Sequence, residues 1–157
     1  MRECVLAQDS GLSVSIATQK KAMKEFILAQ DELEILCESL AKAGVVLLRG
    51  DLASGKTTLV RALAKFKGSQ DEVSSPTFSL LHSYESVEGA IYHYDIYNVG
   101  FEGLLQRGLC ENFSEKGLHL VEWGDENLEL YLQKMGLKCI KVEISNYKNK
   151  RKYVIYE

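Results

Sequence analysis

Lys56 and Thr57 close the segment Gly50-Asp51-Leu52-Ala53-Ser54-Gly55-Lys56-Thr57, a complete match to the pattern G-x-x-x-x-G-K-[ST]. These residue types at this spacing suit the wrapping of a polyphosphate. Backbone N–H groups can line such an anion only where side chains leave the inside of the loop clear, and Gly50 and Gly55 supply that clearance. In this reading Lys56 reaches the β- and γ-phosphates and the Thr57 hydroxyl ligates Mg2+. The backbone of Leu52, Ala53, Ser54 and Thr58, with the partial positive charge of a helix start, holds the rest of ATP.

A phosphate loop needs carboxylates to complete Mg2+ coordination and to position water. Two stand where strands should end. Asp95 follows Ile91-Tyr92-His93-Tyr94, and Glu122 follows Leu118-His119-Leu120-Val121. In an open α/β sheet ligands collect at the carboxyl ends of strands, so both are candidate Mg2+ ligands, weighed against satisfied structural carboxylates. Thr77, in Ser74-Ser75-Pro76-Thr77-Phe78, carries a hydroxyl in a rigid loop and could sense the γ-phosphate or Mg2+, although an ordinary turn hydroxyl is nearly as good a reading. Trp123, beside Glu122, is a candidate nucleotide contact that could pack against the switch or anchor a partner, although a single tryptophan at a strand end is more often core. His82 and His93 fall within strands and read as hydrogen-bonded structural histidines. No nucleophile–base pair stands out elsewhere.

The elements that must position these residues are legible in outline. The apolar run Val45-Val46-Leu47-Leu48 feeds the loop as a buried strand, and Lys56 to Ala64 continues it as a helix ending near Gly68. Upstream, Phe26 to Ala29 reads as a strand, and Asp31 as the N-cap of a helix with Leu33, Leu36, Cys37 and Leu40 on one face, stopped by Gly44. Downstream, Leu80 to Glu85 and Ala90 to Tyr97 pair as a hairpin about Glu88-Gly89. Phe101 to Leu109 reads as a helix, Leu118 to Val121 as a strand, and Asp125 to Met135 as a helix ended by Gly136. Lys138 to Ile144 and Lys152 to Tyr156 form a hairpin across Lys148-Asn149-Lys150-Arg151-Lys152. Strands alternating with helices around a phosphate loop predict a three-layer α/β P-loop NTPase fold with a largely parallel centre and antiparallel hairpins.

The 157 residues suit one domain, and 46% hydrophobic with 26% charged residues is an ordinary globular balance. No apolar run approaches the ~20 residues of a membrane span. A net charge of -3 argues against a DNA-binding surface, and the basic cluster at 148–152 reads as a solvated turn before it reads as a nucleic-acid patch. Cys4, Cys37, Cys110 and Cys139 form no C-x-x-C pair, so reduced thiols in a cytoplasm are expected. Residues 1–22 carry no persuasive signal peptide and read as a poorly ordered extension, with Met23 a second start and residues 23–157 the P-loop ATPase domain.

Gly-Asp-Leu-Ala-Ser-Gly-Lys-Thr-Thr-Leu at 50–59, Ser-Pro-Thr-Phe at 75–78, Tyr-His-Tyr-Asp-Ile-Tyr at 92–97 and Val-Glu-Trp-Gly at 121–124 together closely resemble the bacterial TsaE (YjeE-type) family, in order and spacing as well as type. The resemblance runs from Phe26 to Tyr156. It implies a small ATPase needed to form threonylcarbamoyladenosine beside the anticodon of tRNAs that read A-starting codons, working with TsaB and TsaD partners. It further implies that Lys56 and Thr57 hold phosphates and Mg2+, that Thr77 belongs to the switch, that Asp95 is the acid of a His-x-Asp-x-Tyr motif, and that Glu122 and Trp123 are a pair needed for activity. Base contacts are implied around Gln30-Asp31-Glu32. The third variable loop position, usually Gly, is Ala53, and the Asp-Leu-Tyr-Arg pattern is here Asp95-Ile96-Tyr97-Asn98.

Three functions stay open at this point: the tRNA-modification ATPase, a small-molecule kinase on the same loop, and a nucleotide-binding regulator without turnover. A kinase needs an arginine-rich lid, whereas the chain holds only Arg2, Arg49, Arg61, Arg107 and Arg151, with no clear arginine finger in cis.

Overall fold

The computed structural model describes residues 23–157, so the extension expected over residues 1–22 lies outside the described residues. Seven strands form one sheet in the order β1-β7-β6-β2-β5-β4-β3. These are β1 (Met23–Leu28), β2 (Val45–Arg49), β3 (Leu81–Ser86), β4 (Gly89–Asp95), β5 (Leu118–Glu122), β6 (Cys139–Tyr147) and β7 (Lys150–Tyr156). The centre is parallel, with β2 between β5 and β6 and β4 beyond β5. The edges are antiparallel: β3 on β4, β7 on β6, and β1 on β7.

The run Val45 to Leu48 has no polar face because both faces of its strand are covered. Val46 and Leu48 pack with α1 (Glu34–Leu40) and α2 (Lys56–Phe66) through Leu36, Leu40, Leu59 and Leu63. Val45 and Leu47 pack on the opposite side with Leu104 of α3 (Gly100–Gln106), Phe113, and Leu128 and Leu132 of α4 (Glu126–Lys134). The result is the expected three layers. Among the described residues no helix is long and apolar enough to cross a membrane.

Three local expectations change. Asp31 does not cap a helix: the chain makes a 3-10 turn over Gln30–Glu32, where the Glu32 carboxylate reaches back to accept the Ala29 N–H at 2.7 Å, and α1 begins only at Glu34. A second 3-10 segment, Leu109–Ser114, follows α3, its three-residue repeat burying Cys110 and Phe113. The last hairpin is longer than its apolar residues suggest, because Tyr147 pairs with Lys150 across a two-residue turn. Lys150, Arg151 and Lys152 are therefore strand residues, and two of these charges are met locally: Lys150 lies 3.6 Å from Glu32 and Lys152 3.5 Å from Glu25.

Candidate nucleotide site

The phosphate loop joins β2 to α2. Gly50 has φ 154° and Gly55 φ 106°, and a Cβ on Gly50 would lie 2.5 Å from the Ile144 carbonyl oxygen, so the loop cannot close on any other residue there. Ala53 also sits at positive φ, 63°, in the left-handed region that suits glycine. The departure at this loop position thus places strain in the loop.

Lys56 is the first residue of α2 and is 5% exposed. Its ammonium donates to the carbonyls of Gly50 at 2.6 Å and Asp51 at 2.8 Å, with the Trp123 ring 4.0 Å away. Burial pushes the Lys56 pKa down, opposed by the carboxylates of Glu122, Asp95 and Asp51. Trp123 reaches this position because it leaves β5 at φ 69°, turning the indole over the loop and against Tyr97, ring centroids 4.7 Å apart.

Strand alternation supplies the carboxylates. Leu118, Leu120 and Glu122 share one face of β5, and Ile91, His93 and Asp95 share the same face of β4. Because β4 and β5 are parallel with Asp95 opposite Glu122, both acids come to the carboxyl edge of the sheet. Thr57 donates its hydroxyl to Glu122 Oε2 at 2.9 Å. Asp95 accepts the Ser75 hydroxyl at 2.8 Å on one oxygen and the Tyr97 N–H at 3.0 Å on the other, and Ser75 in turn contacts the Thr77 hydroxyl at 3.1 Å. The residues able to hold a divalent cation are thus Thr57, Glu122 and Asp95, all oxygen donors. Among the described residues no three His, Cys, Asp or Glu side chains are placed to cage a metal alone.

These groups converge on a cleft of about 550 Å³. Leu52, Ala53, Gly55, Lys56, Thr57, Thr58, Thr77, Asp95, Glu122 and Trp123 all line it. Gly50 and Ser54 do not: Ser54 is 3% exposed, with its hydroxyl turned to Lys56 at 3.4 Å, and Gly50 contributes the carbonyl under that ammonium. Asn98, standing where the family pattern has arginine, lines the cleft as well.

Arg151 was missed. It lines the cleft from β7, and its guanidinium lies against Gly55 at the N-terminal, partially positive end of α2, beside the buried Tyr153 phenol. Among the described residues it has no carboxylate partner, so an anion in the cleft would be its natural counterpart. The signal lay in the alternation of β7: Tyr153 and Ile155 face α1 and α2, and Arg151 precedes them on the same face. It was hidden because the strand was expected to begin only at Lys152. Beyond Arg151, a hollow of about 230 Å³ is lined by Leu28, Gln30, Asn146 and Lys148, beside the turn where base contacts were implied.

A buried strand, a glycine-hinged loop at a helix start and paired acids at neighbouring strand ends define an α/β protein of the P-loop NTPase fold. The family profile described as Threonylcarbamoyl adenosine biosynthesis protein TsaE matches residues 23–153. The chain belongs to the TsaE family. It is 34% identical over 142 residues to an Aquifex aeolicus protein named tRNA threonylcarbamoyladenosine biosynthesis protein TsaE, covering 85% of this chain and 96% of that one. A Haemophilus influenzae protein of the same name is 38% identical over 86 residues, 54% of each chain, and a Rickettsia felis one is 38% identical over 102 residues. The chain spans only about half the length of these last two, 54% in both cases. The crystal structure of Bacillus subtilis YdiB shares the fold, with a TM-score of 0.59 at 23% identity over 86% of this chain and 85% of that one.

Proposed function

We propose that the protein is a Mg2+-dependent ATPase that serves threonylcarbamoyladenosine formation on tRNA in the cytoplasm, reaching tRNA through a complex with TsaB and TsaD. The observation that carries the ATPase reading is the 2.9 Å contact between Thr57 and Glu122, which joins the phosphate loop to a strand-end carboxylate. The relatives named for threonylcarbamoyladenosine biosynthesis support the pathway.

Two adjacent hard oxygen donors, with Asp95 beside Glu122 on the neighbouring strand, fit Mg2+, which takes one or two protein ligands and draws the rest from phosphate and water. Mg2+, when bound, neutralises charge on the β- and γ-phosphate oxygens. The chain's own groups do the remainder. The N–H groups of the loop and the start of α2 bind the phosphates, and the Lys56 ammonium exchanges its carbonyl partners for phosphate oxygens. Trp123 and Tyr97 wall one side and exclude water. Glu122 and Asp95 hold the cation, and Thr77, tied through Ser75 to Asp95, places its hydroxyl at the reacting end.

Arg151 gives the cleft a second cation beside Lys56. Its place against Gly55, behind the loop, suits ground-state phosphate binding, and partners remain the source of full activity. The test is ATP turnover with and without TsaB–TsaD. Slow turnover alone and a rise of ~10³-fold with partners is expected, the scale set by arginine donation in related NTPases. Full turnover without partners would replace this reading with a self-sufficient enzyme such as a kinase, and no turnover in either case with a regulator.

A further inference from the structure

Thr57 is not the only group that holds Glu122. His93 Nε2 lies 2.6 Å from the same Oε2 atom, and the His93 ring is wholly buried in β4. Its other nitrogen, Nδ1, is 3.2 Å from the hydroxyl of Tyr84 on β3, itself 4% exposed. That hydroxyl is 3.0 Å from the Ser74 carbonyl oxygen and 3.3 Å from the Ser74 N–H. His82 Nδ1 reaches the Ser74 carbonyl at 3.2 Å.

Hydrogen bonds connect Glu122 to Ser74 through His93 and Tyr84. The Glu122 carboxylate only accepts, so Nε2 of His93 carries a hydrogen and donates it. Nδ1 of His93 and the Ser74 carbonyl both lie within reach of the single Tyr84 hydrogen, and the Tyr84 oxygen accepts the Ser74 N–H.

We infer that Tyr84 and His93 are positioning residues for Glu122, fixing the rotamer of that carboxylate and tying it to Ser74, where the Pro76 loop begins. What Glu122 does there rests on the ATPase reading above, whereas the tie itself does not. The loop so anchored carries Ser75 and Thr77 into the cleft and leaves Phe78 93% exposed. A shift of the loop at Ser74 breaks the Tyr84 contacts and loosens Glu122. A carboxylate freed at the cleft loosens the loop in return. A phenylalanine and a leucine would fill the same volume among Leu48, Leu120 and Ile91 without a hydrogen-bonding requirement, so packing alone gives no reason for the polar pair.

The experiment pairs kinetics with backbone amide exchange. Tyr84→Phe should keep nucleotide affinity and KM while lowering kcat about tenfold, the usual scale for removing a group that orients a metal-binding carboxylate. Faster exchange at Ser74 in that variant follows from the lost contacts alone, so the deciding exchange signal comes from the far end. Glu122→Gln should speed exchange at Ser74, Ser75, Thr77 and Phe78 without nucleotide present. Adding Tyr84→Phe to Glu122→Gln should lower kcat no further. His93→Gln, which keeps an N–H for Glu122, should recover part of the turnover that His93→Leu loses. Unchanged kcat in Tyr84→Phe, or loop exchange indifferent to Glu122→Gln, overturns the inference. If the parent protein hydrolyses no ATP, the ATPase reading fails by itself and the exchange measurements still decide the tie.

Discussion

The guanidinium of Arg151 occupies the space that a side chain on Gly55 would need, so a Cβ there would collide with Nη1. The phosphate loop is thus backed by a strand from the far end of the chain, and two cationic groups and a helix start share one cleft with no carboxylate set against Arg151 among the described residues. Arg151→Ala should weaken ATP binding about tenfold or more, the scale of one charge-assisted hydrogen bond. The melting temperature should hardly move, because the side chain is only half-buried. Calorimetric titration with ATP decides it, and equal affinity would remove Arg151 from the site.

Lys56→Ala should abolish productive ATP binding while the fold survives. The ammonium is held by carbonyls of its own loop rather than by the core, and those carbonyls can turn to water. Nucleotide affinity and thermal melting measured together check both halves. A variant that binds Mg-ATP as tightly as the parent would overturn the phosphate-loop assignment.

Glu122→Gln and Asp95→Asn should retain much of the ATP affinity and lose most hydrolysis, since in the proposed function backbone N–H groups would hold the triphosphate and the acids would place the cation. The amides are preferred to alanine because Glu122 is 3% exposed and shares its oxygen with Thr57 and His93. Single-turnover rates with partners present separate the two effects. Parental turnover in either variant would strike that residue from the site.

Ala53→Gly should stabilise the protein by about 1 kcal/mol, the cost an L-residue carries in the left-handed region. That converts to a rise in melting temperature of about 2–4 °C for a domain of this size. No loss of nucleotide affinity is expected, because φ 63° is already the conformation glycine adopts freely. A fall in melting temperature would mean that the Ala53 methyl packs usefully.

His119 should make stability pH-dependent. It is 2% exposed, its Nε2 donates to the Glu115 carbonyl at 2.8 Å, and Tyr94 donates its hydroxyl to Nδ1 at 2.7 Å. Burial holds its pKa below the ordinary 6.5, with the Glu115 contacts opposing. The unfolded chain therefore binds a proton that the folded chain refuses, and stability falls as pH drops below 6.5, by up to about 1.4 kcal/mol per pH unit until the folded ring titrates. Above pH 7 the effect vanishes. Urea titrations at pH 7.5 and 5.5 should show a larger loss for the parent than for His119→Asn, and equal losses would refute it.

Much of the site could be read from the chain because its chemistry is local. The eight residues from Gly50 to Thr57 carry their own geometry, and Asp95 and Glu122 could be placed because each ends a strand whose period was plain. Where the reading failed, the determinant was tertiary. Arg151 sat in a run of like charges, and only its pairing with Asn146 turned it toward the loop. His93 looked structural, as His119 is, because both are histidines inside buried strands. They differ in partner: a carboxylate on the neighbouring β5 for His93, and for His119 the backbone carbonyl of Glu115 in the bend before its own strand. The Asp31 cap failed because Asp31 falls inside a 3-10 turn that Glu32 closes back onto Ala29, and α1 begins only at Glu34.

The strand order also sets when the cleft can exist. The loop-bearing β2 is flanked by β5 and β6, which begin at Leu118 and Cys139, and Arg49 is fastened to the Gly124 carbonyl at 2.7 Å. Glu122 and Arg151 arrive later in synthesis than the phosphate loop by 65 residues or more, as the Thr57–Glu122 separation shows. Contacts this distant in the chain form slowly, since the intervening segment must be ordered before they reward it. A nascent chain that has emerged only as far as α2 therefore carries the phosphate-loop residues without the cleft, which is complete only once the last hairpin has closed the sheet.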